Sequence, residues 1–316
     1  PPIDSIALNV ADVNSPVDNA VLTGVVNSNP RLSDFVNQRG EPSRSLQLQI
    51  SPDATGSSRA LRAIIWNVDE ARIPKVFRTG TQIRLIGVRV KQGNPQYGNG
   101  DLEIHGDEGT VLQFPGPRED VEVMPLRIIS VGSETGRGSF VCLASDRAGR
   151  PVTLTVDKSL LGAEELASGT MIECVPSRIF GSSVILGKED AYAKITEDDP
   201  SFPPLSKFEI KVKDIAVDPA SAQTEQKPMV IEAIVLQALE TAEVSTKSGE
   251  TVAVTSTLIG DDTGEIRLVG WRTQSPVLGK LAVGDRIKLI GTSAGLGREG
   301  KAELTLRPYS SIVHLG

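Results

Sequence analysis

Residues 259–271 read Ile-Gly-Asp-Asp-Thr-Gly-Glu-Ile-Arg-Leu-Val-Gly-Trp, and residues 284–291 read Gly-Asp-Arg-Ile-Lys-Leu-Ile-Gly. Both stretches have an earlier counterpart. Leu61-Arg-Ala-Ile-Ile-Trp66 matches Ile266 to Trp271, and Gly80-Thr-Gln-Ile-Arg-Leu-Ile-Gly87 matches Gly284 to Gly291, with offsets of 205 and 204 residues. Working outward, Ala54-Thr-Gly56 matches Asp262-Thr-Gly264, Val21-Leu-Thr-Gly-Val-Val matches Val230-Ile-Glu-Ala-Ile-Val, and PPIDSIALNVADV at 1–13 aligns without a gap on PPLSKFEIKVKDI at 203–215. Order is preserved and the offset changes only at loops, so a domain is duplicated.

Within each copy the apolar residues alternate with period two, are rich in Val, Ile and Leu, and are punctuated by Gly, Asp and Pro, the pattern of short strands. The last copy predicts strands at 229–239, 251–259, 265–271, 285–293 and 302–308 with a helix at 275–282. The first predicts strands at 20–28, 45–50, 60–66, 81–91 and 101–114 with a helix at 68–77. Five strands with a helix between the third and fourth is the order of an OB-fold, a partly open Greek-key barrel that binds oligomers on strands two and three and in loops one-two and four-five. Between the copies the rhythm recurs in shorter form: strand-like runs at 123–131, 139–145 and 152–156, a helical stretch at 158–167, and Gly169-Thr-Met-Ile-Glu-Cys-Val echoing Gly80. The expected fold is therefore all-β, three tandem OB-fold barrels, each with a short helix between strands three and four, dividing the chain into 1–117, 118–197 and 198–316. Segments 116–122 and 188–204 read as connectors, the second charged and proline-bearing enough to be a semi-rigid spacer.

The 316 residues carry 33 Lys and Arg against 40 Asp and Glu, a net charge of −7, with 39% hydrophobic and only 4% aromatic residues. Such a balance excludes a uniformly basic nucleic-acid coat. The net charges of residues 1–118, 119–203 and 204–316 are 0, −6 and −1, so the acidity belongs to the middle segment. Cys142 and Cys174 are too few for a zinc cage or a disulfide framework and read as buried thiols. No apolar run is long enough to span a membrane, and the N-terminus lacks a signal-peptide pattern. The expected location is intracellular, in the cytoplasm or nucleoid, or the nucleus of a eukaryote. A chain beginning at Pro1 suggests a trimmed one.

Alternation on the third strand sets Arg267 and Trp271 opposite Ile266 and Leu268, and Arg62 and Trp66 repeat the arrangement. The fourth strand adds Arg84, Arg89 and Lys91 in the first copy, and Arg286 and Lys288 in the last. Loops add Arg31, Phe35, Arg39 and Arg44 in the first copy, Lys247 in the last, then Tyr97, Arg298 and Lys301 from the four-five loops. Basic groups tracking a backbone beside a few flat rings for stacking are the means of a single-strand binder. Each residue has a plainer use: an arginine solvates an open face, and a strand-end tryptophan packs on a barrel rim. Phe140 and Phe180 read as core.

Several motifs carry no chemistry. Gly295-Leu-Gly297-Arg-Glu-Gly300 fits the dinucleotide spacing but joins two strands, so it reads as a hairpin loop. His105 and His314 stand on strands of different domains, and Asp261-Asp262 and Asp198-Asp199 sit in turns or linkers. No catalytic, cofactor or metal site is expected, so the chain reads as a non-enzyme.

Residues 259–271 and 281–291, with the lead-in Ile210-Lys-Val-Lys-Asp-Ile215, resemble the DNA-binding domains of replication protein A, in particular its archaeal single-chain members. The resemblance is specific over the last 115 residues, looser over the first 115 and architectural in the middle. It implies sequence-tolerant binding and protection of single-stranded DNA in replication, recombination and repair, with contacts from Arg62, Trp66, Tyr97, Arg267, Trp271 and Arg298; no metal is expected, and the acidic middle barrel is expected to space the outer two or to meet replication or repair proteins. The absence of a four-Cys cluster sets it apart from zinc-bearing members. The competing readings are an OB-fold protein-interaction scaffold with little DNA affinity, or the accessory region of a larger nucleic-acid enzyme.

Overall fold

The structure, a computed structural model, describes residues 2–36, 40–55, 59–94, 101–135, 138–217, 228–245, 250–297 and 300–316. It is mostly β, with three barrel-like sheets. The chain forms two compact units, one of residues 1–121 with 178–183, the other of residues 122–177 with 184–316.

In the first unit the strands follow the order Leu8–Asn9, Val17–Val26, Pro42–Ser51, Leu61–Trp66, Leu102–Gly106, Gln82–Gln92, Val111–Gln113. Val17–Val26 also pairs with Gln82–Gln92, which closes the sheet into a barrel. Alternation drives this: Ile83, Leu85, Val88 and Val90 point inward to join Leu46, Leu48, Ile50, Leu61, Ala63, Ile65 and Ile104 in one core, while Arg84, Arg89 and Lys91 point out. Ile179 and Phe180 pair in parallel with Val76 and Phe77 and group with this unit, and Phe180 joins its core.

The last barrel in the second unit repeats the plan. Met229–Val235, Thr251–Gly260, Glu265–Trp271, Ala302–Thr305 and Arg286–Leu296 run in that order, closed by the pairing of Met229–Val235 with Arg286–Leu296. Its core holds Ile231, Ala233, Val235, Ile259, Leu268, Ile287, Leu289 and Leu304. The middle sheet is built from Tyr192–Thr196, Met171–Val175, Met124–Glu134, Ser139–Ser145 and Pro151–Asp157. Phe140 is fully buried.

One turn fixes the equivalence of all three. Val26 N–H donates to Thr81 C=O at 2.9 Å and Gly80 N–H to Val26 C=O at 2.8 Å; Ile128 with Thr170 and Gly169 (2.8 and 2.8 Å) and Val235 with Asp285 and Gly284 (3.0 and 2.8 Å) make the same pair. Gly80, Gly169 and Gly284 all have φ between 91 and 98°, a region a side chain disfavours.

Three expectations are corrected. The helices at 68–77 and 158–167 are single 3-10 turns, Glu70–Arg72 and Ala163–Glu165, and among the described residues only Ser275–Leu278 is α-helical. Pro74 bars a helix from continuing through the first, and Gly162 weakens the second. The loop at 29–44 contains a strand, Arg31–Val36, paired with Pro42–Ser51. The connector at 188–204 begins with the strand Tyr192–Thr196 and ends tied to the middle barrel: Asp198 pairs with Arg127 at 2.7 Å and Phe202 is buried under Arg147.

Candidate nucleic-acid interface

Residues opposite one another in a sheet share a face, so the register of the first barrel assembles its outer wall row by row. One row runs Arg31, Gln47, Ile64, His105, Arg89. The next runs Gln49, Arg62, Glu103, Lys91. Arg62 donates to Glu103 Oε1 at 3.3 Å and Gln47 Oε1 at 3.2 Å. His105 Nε2 lies 3.2 Å from Glu103, and burial lowers its pKa, a direction that Glu103 opposes and the Lys91 and Arg62 charges reinforce. The structure thus brings Arg31, Arg62, Arg89 and Lys91 onto one wall.

At the end of that wall stands Trp66, 39% exposed, with Phe35 meeting it edge to face at 5.3 Å and 84°. The two border a groove of about 1020 Å³ lined also by Val36, Pro42, Arg44, Val68, Asp69, Glu70 and Glu108. Immediately after Trp66, Asn67 adopts φ 56°, and immediately after Trp271, Arg272 adopts φ 54°. Non-glycine residues rarely accept this region, and such strain gathers at functional sites. Both copies hold it at the same place, where it turns the chain off the strand and leaves the tryptophan at the edge.

Other predicted residues are committed elsewhere. Arg44 points to the opposite side of its strand, donating to Asp34 at 2.7 Å and pairing with Glu70. Arg84 pairs with Asp4, and Lys288 with Glu209 and Glu232 at 3.2 and 3.1 Å. Arg84 and Lys288 are equivalent, and each clamps the lead-in segment of its barrel. Arg286 is exposed on that same wall. Tyr97, Lys247, Arg298 and Arg39 lie outside the described residues, and Lys301 is exposed at the end of the four-five hairpin.

The last barrel keeps the framework with fewer charges. Arg267 is exposed opposite Glu303 and donates to Ser256 Oγ at 3.0 Å, and Trp271 closes the strand, half-buried. Its rows are Glu240, Ser256, Val269, Thr305, Ser293 and Leu258, Arg267, Glu303, Gly295. Glu240, Ser293 and Gly295 stand where the first barrel has Arg31, Arg89 and Lys91. Arg307, absent from the sequence reading, reaches this wall through Nε to Ser293 Oγ at 2.6 Å.

Asp261 is a turn former that also holds the lead-in. Its carboxylate accepts Thr263 N–H at 2.7 Å, Gly264 N–H at 3.2 Å and Val212 N–H at 3.0 Å. Burial works against its charge, but the bonds from Thr263 and Val212 and the Lys211 charge prevail and hold it at about 2. Cys142 and Cys174 are buried free thiols, pushed by burial up to about 12. Among the described residues no group of three or more His, Cys, Asp or Glu is placed to hold a metal ion, and no helix is long and apolar enough to cross a membrane.

No family model matches the chain, and no curated protein matches it. Solved structures similar to it include a replication protein A heterotrimer bound to single-stranded DNA, 14% identical over 95% of this chain and 94% of that one, TM-score 0.29. Another is the second OB-fold domain of replication protein A from Methanococcus maripaludis, 21% identical over 34% of this chain and 94% of that one, TM-score 0.27. A third is a murine DNA-binding protein bound to double-stranded DNA, 12% identical over 61% and 95%, TM-score 0.38. At TM-scores this low none of these likenesses decides the function.

Proposed function

We propose that the chain is a non-catalytic, intracellular, sequence-tolerant single-stranded DNA-binding protein built of three tandem OB-folds, 1–117, 118–197 and 198–316, acting in replication, recombination and repair. The observation that carries this reading is the first barrel's outer wall, where Arg31, Arg62, Arg89 and Lys91 share two adjacent rows that lead to the exposed Trp66 and Phe35. Phosphates follow the basic rows, and bases stack at the ring pair. The carboxylates along the groove suit base amino groups, which they accept as hydrogen-bond donors, rather than phosphates. The last barrel repeats the grip more weakly through Arg267, Trp271 and Arg307, and the acidic middle barrel meets replication or repair proteins.

The test is a fluorescence-anisotropy titration with single-stranded DNA, single-stranded RNA and duplex of matched length, on the wild type and on the Arg62→Ala/Arg89→Ala variant. Preferential single-strand binding that the double variant weakens supports the reading. Unchanged affinity in the double variant returns the chain to the class of interaction scaffolds.

A further inference from the structure

Inside the second unit the middle barrel docks on the last one through a small apolar contact. Ile129 and Leu143, from the first two strands of the middle barrel, pack on Val230 and Ile290, and Leu205, Phe208 and Tyr309 close around them. Gly132 lies so close to the Pro308 carbonyl that a Cβ there has no room. One barrel acts as donor, with residues of its first two strands; the next acts as acceptor, with its lead-in segment and an outer row.

The common turn maps both faces onto the other barrels. Ile129 and Leu143 each stand one residue from the core pair Ile128 and Ala144; the matching pair in the last barrel is Val235 and Ile259, and the matching neighbours are Leu236 and Leu258. Leu236 is 38% exposed. Among the described residues the last barrel therefore presents an apolar donor face, with Leu236 exposed and Leu258 half-buried. In the first barrel the same positions are Asn27 and Gln49, and that face is polar.

The acceptor face maps in the same way. Val230 and Ile290 are opposite in register, as are Val21 and Ile86, and Leu205 and Phe208 correspond to Ile3 and Ile6. Ile3 and Ile6 are 40% and 48% exposed, and Val111, opposite Ile86, is 44% exposed. The acceptor rim differs from the internal one, Glu108-Gly109 standing where the last barrel has Pro308-Tyr309.

We infer that a second copy of this chain occupies these faces, the last barrel of one copy seating Leu236 and Leu258 on Ile3, Ile6, Ile86 and Val111 of the next. The partner is a second copy because the chain carries both halves of a contact that it already makes once internally. Such a contact joins two different patches, so it propagates head to tail instead of closing on itself as a two-fold dimer does. It would add copies with one polarity along a line, whatever that line is.

Sedimentation equilibrium tests it on the full chain, alone and on oligo-dT long enough for several copies. The expected weight-average mass rises with concentration above 33.6 kDa without levelling at the dimer. Leu236→Asp and Ile6→Asp each remain monomeric, and their equimolar mixture reaches the dimer and stops, because one intact donor then meets one intact acceptor. Both sites are exposed, and the milder Leu236→Ser and Ile6→Ser give the same pattern with unchanged melting. A wild type that is monomeric under both conditions overturns the inference, as does a mixture that assembles no further than either variant alone.

Discussion

Trp66 and Phe35 meet edge to face with their centroids 5.3 Å apart, although 31 residues separate them in the chain. The hairpin of Arg31–Val36 with Pro42–Ser51 makes the meeting, since Phe35 stands opposite Ser43 and Trp66 opposite Ser45 on the same face. Trp66 stays 39% exposed at the mouth of the groove, which suits it to receive a base. Trp66→Ala is expected to cost about 1–3 kcal/mol of single-strand affinity, the range for one stacked base. Quenching of tryptophan fluorescence on DNA binding should fall by more in that variant than in Trp271→Ala.

The two outer barrels share a framework but not a charge. Arg89→Ala or Lys91→Ala should each reduce the salt slope of single-strand binding by about 0.7 if one phosphate contact is lost. Arg44→Ala and Arg84→Ala should leave the slope unchanged, because those groups are spent on Asp34, Glu70 and Asp4. Equal slopes for Arg84→Ala and Arg89→Ala would remove the assignment of the binding wall.

His105 sits in the same row as Arg89 and Arg31, and burial lowers its pKa from 6.5. It is neutral at pH 7 and gains a proton only below its unperturbed value. DNA affinity should therefore rise only once pH falls below 6.5, and His105→Gln should flatten that rise. The same shift makes His105 destabilising in acid: the unfolded chain takes its proton first, so this contribution to stability is present above 6.5 and is lost as pH falls through the lower folded value.

Asp261 joins the turn before Glu265–Trp271 to Val212 of the lead-in. Asp261→Ala should destabilise the second unit by about 0.5–1.5 kcal/mol, the net worth of a part-buried hydrogen bond. With its folded pKa at about 2 against 3.8, the stabilisation holds above pH 4 and is lost as pH falls through about 2. Urea melts between pH 5 and 2 compare the variant with the wild type; the gap between them should narrow toward the acid end.

The duplicated copies, their strands and the repeated motif at Gly80, Gly169 and Gly284 could be read in the chain, because period-two alternation leaves its mark in the residues themselves; the closing pairs of the barrels could not, because they join strands far apart in the chain. Arg62, Trp66, Arg267 and Trp271 were legible for the same reason, since alternation decides which face they take. The hairpin at Arg31–Val36 was not, because Ser33, Asp34 and Asn37 dilute its alternation and its pairing partner lies across a turn. Nor were the ion pairs of Arg44, Arg84 and Lys288, which depend on residues brought from the lead-in or from a neighbouring strand. Arg307 escaped notice although it falls within the predicted strand 302–308; the strand ends at Thr305, and only the fold returns Arg307 to Ser293.

The central claim is that two unequal barrels grip one strand of DNA. Affinity for oligo-dT measured against its length tests this most directly, with single OB-folds occupying about 4–16 nucleotides. The account predicts a steep rise once the oligonucleotide passes the length held by one barrel, because the second contact is then intramolecular, and Arg267→Ala should abolish that rise while leaving short oligonucleotides unaffected. An affinity that stays flat across lengths, or rises equally in Arg267→Ala, would contradict it.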